Sequence, residues 1–264
     1  MIVLRYLLLL ILLGIVPLSH SACNGMLPKV LYGPYFSLSF IQEFFKEVHK
    51  HFEVATGCQP RIIVSRSFEE FFTDLGKQDG DLVVVAPPYV EQLEKVGYRQ
   101  VVSGLAVTFQ LVVHKDSGIR TLSDLKNKSV ALHSELSMAA ALWRHWMRNE
   151  IQNSSIKVTY GGTGDSAFMR LLKNEADVAI IVNWLFDRLH PSLKQNLLVI
   201  EDYHFDRVAT VMSSSKVSAE IRTKLIKGLI DSSSSQWHPK GEKFKADAIL
   251  EKALQRHIPL NKTP

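Results

Sequence analysis

Cysteine is scarce here: only Cys23 and Cys58 occur in 264 residues, too few for a cysteine set with metal-ligand spacing. Also missing are a G-x-S-x-G elbow and an H-E-x-x-H helix, so no catalytic arrangement stands out and neither a metal nor a cofactor is expected. The charge balance is mild, at +5 for the full chain, and its Lys and Arg residues are scattered, so nucleic-acid binding is not indicated. Past the N-terminus no stretch is long and apolar enough to span a bilayer.

What the chain does have begins with "MIVLRYLLLLILLGIVPLSHSAC", a short leucine-rich run behind one Arg, broken by Pro17 and followed by small residues. That pattern predicts a secretory signal over residues 1–21, with Ser19 and Ser21 at the minus-three and minus-one positions for cleavage before Ala22. Acylation of Cys23 ranks second, because His20 stands where a lipobox wants an aliphatic residue. An exported chain permits a disulfide, and Cys23 and Cys58 each precede a predicted strand, so adjacent parallel strands would bring both to one sheet edge. Lipidation and pairing of Cys23 exclude each other.

The remaining length, roughly 240 residues, suffices for two lobes with cores of their own. From residue 29 the order is strand "KVLYG", a long helix over "SFIQEFFKEVHKHFEVATG", strand "RIIVS", helix "SFEEFFTDLGKQDG" and strand "DLVVVAPP". From residue 129 the same βαβαβ order returns through "SVALH", "SMAAALWRHWMRNEI", "IKVTYGG", "DSAFMRLLKNEA" and "DVAIIVN". In "GDLVVVA" and "ADVAIIV" an Asp leads an apolar β-branched run, as strands buried on both faces of a parallel sheet require. The boundaries read as lobe one over 22–107, lobe two over 108–204, and a return strand with C-terminal helices over 205–264 packing on lobe one. Two crossings make a hinge, and the strand-to-helix turns of both lobes then face one cleft.

Several strings resemble the type II periplasmic solute-binding proteins, and within them the phosphate, phosphite and phosphonate branch associated with ABC importers. They are "EVATGCQPRIIVSRSFEEF", "DLVVVAPPYV", "FQLVVHKDSGIRTLSDLKNKSVAL" and "YGGTGDSAFMRLLKNEADVAI". The resemblance implies an α/β two-lobe fold, each lobe a mostly parallel sheet flanked by helices, joined by crossing strands. It implies a monomer that captures a small anionic ligand and presents it to an ABC permease. A membrane sensor as partner, or a small organic ligand held by aromatics, are the alternatives. The family's anion site maps onto Thr108 of the hinge strand and onto His133, Ser134 and Ser137 in the turn "HSELSM"; lobe one contributes Tyr35 and the Pro88-Tyr89 pair. Where phosphonate binders of this branch carry Ser-His-Asp, this chain has Thr163, Gly164 and Asp165, without the histidine. Glu135 in the same turn must point away from an anion or pair with a cation.

The residues also carry readings of their own. Ser137 either caps the following helix or, with Ser134 and the helix amides, cradles an anion. Arg66 follows a strand and is suited to pair with an anion or with the other lobe. Tyr35, Tyr89 and Trp184 follow strand ends and are site candidates, while Phe44, Phe45, Phe52, Phe68, Phe71, Phe72, Trp143 and Trp146 have core spacing. His133 is either a ligand donor or a turn residue. His49 and His51 are two apart on a helix and read as a solvated face, and Asp165 reads as a helix N-cap. "GTGDSA" fits the dinucleotide fingerprint, a remote enzymatic alternative, but the next strand ends in Asn183 where a ribose-binding acid is expected.

Overall fold

The computed structural model describes residues 27–150, 155–232 and 236–239. The predicted signal, Cys23 and residues 240–264 of the predicted C-terminal segment lie outside the described residues. No helix among the described residues is long and apolar enough to cross a membrane.

The first half runs β1 (Lys29–Tyr32), α1 (Leu38–Phe44), α2 (Lys46–Thr56), β2 (Arg61–Val64), α3 (Phe68–Gly76), β3 (Leu82–Val85), α4 (Val90–Lys95) and β4 (Arg99–Gly104). The second runs β5 (Val107–His114), β6 (Ser129–Leu132), α5 (Met138–Glu150), β7 (Lys157–Tyr160), α6 (Gly164–Leu172), β8 (Val178–Val182), α7 (Asn183–Asp187), α8 (Pro191–Lys194) and β9 (Leu197–Phe205). Then β10 (Ala209–Ser213), α9 (Ala219–Asp231) and β11 (Trp237–Pro239) follow. The single long helix expected after β1 is two helices. At Phe45 the backbone leaves the helical region (φ −98°, ψ 18°), which divides α1 from α2.

Two sheets result, ordered β11-β4-β10-β3-β1-β2 and β7-β6-β8-β5-β9. Set side by side, β2-β1-β3-β10-β4 and β7-β6-β8-β5-β9 are one topology used twice. In each, three parallel strands meet a fourth, antiparallel one that has crossed from the other half of the chain. What reads in sequence as one return strand is therefore two: β9 completes the second sheet and β10 enters the first. The crossings at Leu105–Ala106 and Asp206–Val208 lie side by side, with the Val208 amide donating to the carbonyls of Gly104 (3.1 Å) and Leu105 (3.0 Å).

The repeated Asp has a physical role in both halves. Asp81 Oδ2 accepts the Lys29 amide at 2.8 Å, and Asp177 Oδ2 accepts the Ser129 amide and hydroxyl, each at 2.7 Å. Each carboxylate thus clips the start of the third strand of its half to the start of the first. The apolar runs behind them, Leu82–Val85 and Val178–Val182, are buried throughout, as strands covered on both faces must be.

His49 is not on a solvated face. The α2 stripe Val48, His49, Phe52 and Ala55 is buried, and His49 Nε2 meets Tyr32 Oη at 2.8 Å. Spacing i, i+3, i+4 puts His49 beside Phe45 and Phe52, and His51 is not solvated either: its ring lies against Gly228 of α9 and its Nε2 is 3.5 Å from Glu47. Cys58 is buried and disulfide-bonded, at the end of the first sheet where β1 and β2 begin.

Candidate functional site

The two sheets meet across a cleft bridged at several points. The first amide of α6, Gly164 N, donates to the Tyr35 carbonyl at 2.9 Å. Tyr89 Oη donates to the Leu136 carbonyl at 2.6 Å. Farther out, Arg188 pairs in a fork with Glu43 (2.9 and 3.1 Å) and covers the Phe40 ring, while Trp184 stacks on Phe44 at 3.9 Å. These bridges describe a closed cleft.

Inside it are two adjoining compartments. The inner one, about 90 Å³, is walled by apolar groups including Phe36, Phe109, Met138, Ile180 and Trp184. The outer one, about 580 Å³, is polar, with Arg66, Glu69, Ser134, Glu135, Tyr160 and the Gly161-Gly162 turn in its wall. His133 lines both, with its ring 5.9 Å from that of Phe68 across the cleft.

Some of the buried polar atoms that lack a hydrogen-bond partner among the described residues lie around this cleft. Tyr35 Oη is one, its ring held edge-to-face by Phe68 and Phe71, and burial pushes its pKa far above the ordinary tyrosine value. His133 Nε2 is another; burial pulls this imidazole down to about 4 although Asp165 acts in the opposite direction. Asp165 Oδ1 is the third. Buried groups of this kind cost free energy until something completes them.

Other predicted residues behave differently. Ser137 is fully buried; its hydroxyl donates to the Ser134 carbonyl (2.7 Å) and accepts the Ala140 amide (3.1 Å), which is helix capping. Ser134 Oγ accepts the Leu136 amide at 3.1 Å while its residue lines the outer compartment. Replacing Ser137 with Ala is therefore expected to lower the stability of the unliganded protein by about 1 kcal/mol, measurable by urea unfolding. Unchanged unliganded stability would return Ser137 to a purely ligand-directed role.

Thr108 does not face the cleft. Along β5 the faces alternate, so Val107 and Phe109 line the inner compartment while Thr108 Oγ1 meets His204 Nδ1 at 3.1 Å. Pro88 lies in a short turn over Pro87–Tyr89 and, like Tyr89, lines neither compartment; Tyr89 acts as a bridge instead. Arg66 reaches the outer compartment and Trp184 the inner one.

At α6 two assignments exchange places. Thr163, expected at the ligand, is the N-cap and forms a capping box with Ser166, whose hydroxyl accepts the Thr163 amide at 2.6 Å. Asp165, expected as the cap, is left free of that duty. Gly164 has no room for a side chain, since a Cβ would sit 2.9 Å from the Tyr35 carbonyl oxygen. The dinucleotide reading loses its basis here: the leading amides of α6 are already bonded within the protein, and Asn183 Oδ1 accepts the Thr108 amide at 3.1 Å.

Sequence reasoning missed Tyr160, the Gly161-Gly162 turn, the apolar wall and the bridges. Asn183 and the bridging pairs are far apart in the chain, and no local pattern marks them.

No curated protein matches the sequence significantly. Among solved structures, PhnD1 from Prochlorococcus marinus, in complex with methylphosphonate, superposes with a TM-score of 0.72 at 12% identity, covering 88% of this chain and 99% of that one. A binding protein component of an ABC phosphonate transporter from Pseudomonas aeruginosa gives 0.63 at 14% identity, covering 87% and 79%. A Xanthomonas citri protein bound to chloride gives 0.63 at 16% identity, covering 86% and 98%. These likenesses carry the fold, two mixed sheets flanked by helices as in type II periplasmic binding proteins. The model of the phosphonate periplasmic substrate-binding proteins of ABC transporters matches residues 30–253. The chain belongs to that family, and its role is solute binding.

Proposed function

We propose that this protein, exported by the segment over residues 1–21, closes its two lobes on a small oxyanion and presents it to an ABC permease without transforming it chemically. The lobes are those read from sequence, 22–107 and 108–204, with 205–264 returning to lobe one. The observation that carries the reading is an enclosed cleft, bridged on several sides, which His133 lines with a ring whose Nε2 has no hydrogen-bond partner among the described residues. Capture requires no second copy, because both walls come from one chain. Ligand contacts to both lobes favour the closed state. The apolar wall of the inner compartment supports a second reading, an organic ligand or substituent held by Phe36, Phe109 and Trp184.

A thermal-shift panel of phosphate, phosphite, methylphosphonate, sulfate and neutral organic compounds tests this. A ligand at about 100 times its dissociation constant adds about 2.7 kcal/mol, a shift of about 5–10 °C for a protein of this size. A response to phosphorus oxyanions alone is expected. A response to neutral organics alone would overturn the oxyanion reading and leave the solute-binding role in place.

A further inference from the structure

The inner compartment is built unlike the outer one. No Asp, Glu, Lys or Arg lines it, whereas Arg66, Glu69 and Glu135 stand in the wall of the outer one. The titratable groups of the inner wall, Tyr32, Tyr35 and His133, are all kept uncharged at neutral pH by burial. Its walls also come from every part of the closed cleft. Phe36 belongs to the first half, Met138, Ile180 and Trp184 to the second, and Leu105 and Val208 to the two crossings. A group seated there touches both lobes at once.

Such a space suits apolar atoms and rejects charge. A charge drawn from water into an apolar wall loses its hydration with nothing to replace it, while a methylene group gains by the same move. His133 stands where the two compartments join, so an oxyanion held on the outer side has the apolar space adjoining it. We propose that the ligand is an oxyanion carrying a compact apolar substituent, and that the inner compartment is the subsite for that substituent, selecting it by length and by lack of charge.

Volume sets the length. An apolar cavity of about 150 Å³ accepts the six carbons of benzene, so the inner compartment, at about 90 Å³, holds three or four. The inference rests on the oxyanion reading of the cleft and narrows it: phosphate and phosphite bring nothing to fill the inner compartment, and closing on them leaves its walls without contacts.

The test is titration calorimetry on the wild-type protein with phosphate, a series of methyl-, ethyl-, n-propyl-, n-butyl- and n-hexylphosphonate, and 2-aminoethylphosphonate. From methyl to propyl the affinity is expected to rise about fourfold per carbon, which corresponds to about 0.8 kcal/mol per buried methylene. It should level off at butyl and fall at hexyl. The aminoethyl compound matches the propyl one in size but ends in an ammonium, for which the inner wall has no carboxylate, and is expected to bind about tenfold more weakly or worse. Equal affinities from phosphate to propylphosphonate, or an aminoethyl compound that binds as tightly as the propyl one, would overturn the subsite and leave the oxyanion reading in place. Failure of every one of these oxyanions to bind would overturn both. Met138→Ala enlarges the inner compartment and is expected to move the best chain length from propyl or butyl toward hexyl; an unmoved optimum would place the substituent elsewhere. The length series itself is read on wild type and does not depend on the variant's folding.

Discussion

Gly164→Ala is expected to weaken ligand binding by about two orders of magnitude while leaving the unliganded protein as stable as before. The added methyl would lie 2.9 Å from the Tyr35 carbonyl oxygen and 3.3 Å from the Phe36 ring, both across the cleft. Backbone oxygen cannot swing aside as a flexible side chain does, so the lobes must stay farther apart and the 2.9 Å bond from the Gly164 amide is lost or stretched. Overpacking costs about 1–3 kcal/mol, and the lost hydrogen bond about 0.5–1.5 kcal/mol more. Because closure is coupled to binding, a penalty of about 2–4 kcal/mol on the closed state appears as about a 30- to 1,000-fold loss of affinity. Within α6 the change has the opposite sign but is small, since Ala is a better helix former than Gly by about 1 kcal/mol in a helix interior and Gly164 is the first helical residue. The two signs separate the effects: calorimetric affinity should fall while the melting temperature of the unliganded protein holds or rises slightly. A variant that binds as wild type does would mean that the Gly164 contact is not part of the ligand-bound state.

The second large effect is acid sensitivity through His49. Burial pulls this imidazole down to about 4, and its Nε2 sits 2.8 Å from the buried hydroxyl of Tyr32. Protonation turns Nε2 into a donor and forces that hydroxyl to give up its own proton's place in the bond. In the unfolded chain the same group titrates near 6.5, so between about pH 6.5 and 4 the unfolded state binds more protons than the folded one. Stability therefore rises with pH across this window and is lost as pH falls through it, by about 2 kcal/mol between pH 7 and 5. His133 acts in the same direction in the unliganded protein. Urea unfolding at pH 7 and pH 5 should show the loss in wild type and a clearly smaller one in His49→Gln, whose amide oxygen accepts from Tyr32. An undiminished loss in the variant would assign the acid sensitivity to other groups.

Much of the architecture was legible because it is local. The βαβαβ order, the apolar β-branched strands and the Asp that leads the third strand of each half all follow from hydrophobic period and turn chemistry, and Asp81 and Asp177 stand where that pattern puts them. His49 carried a signal too, since Phe45, Val48, His49 and Phe52 form one helical stripe, and reading His49 against His51 alone hid it. At α6 the sequence offers Thr163 and Asp165, two residue types that cap helices equally well at neighbouring positions, and a one-residue difference in where the helix begins exchanges their roles. Thr108 meets His204 rather than lining a compartment for a similar reason, because a shift of one residue along a strand moves a side chain to the opposite face.

The sequence by itself thus determined two similar α/β halves, the residues that build each sheet and the turn in which His133 sits, because these depend on neighbours within a strand or a helical turn. Only the tertiary structure decided what meets across the cleft: Gly164 with Tyr35, Tyr89 with Leu136, and Arg188 with Glu43. Those contacts join residues of opposite lobes or of separate loops. Which of them touch is set by the crossing of β5 and β10 between the sheets and by the angle at which the two halves close, and no sequence period encodes either.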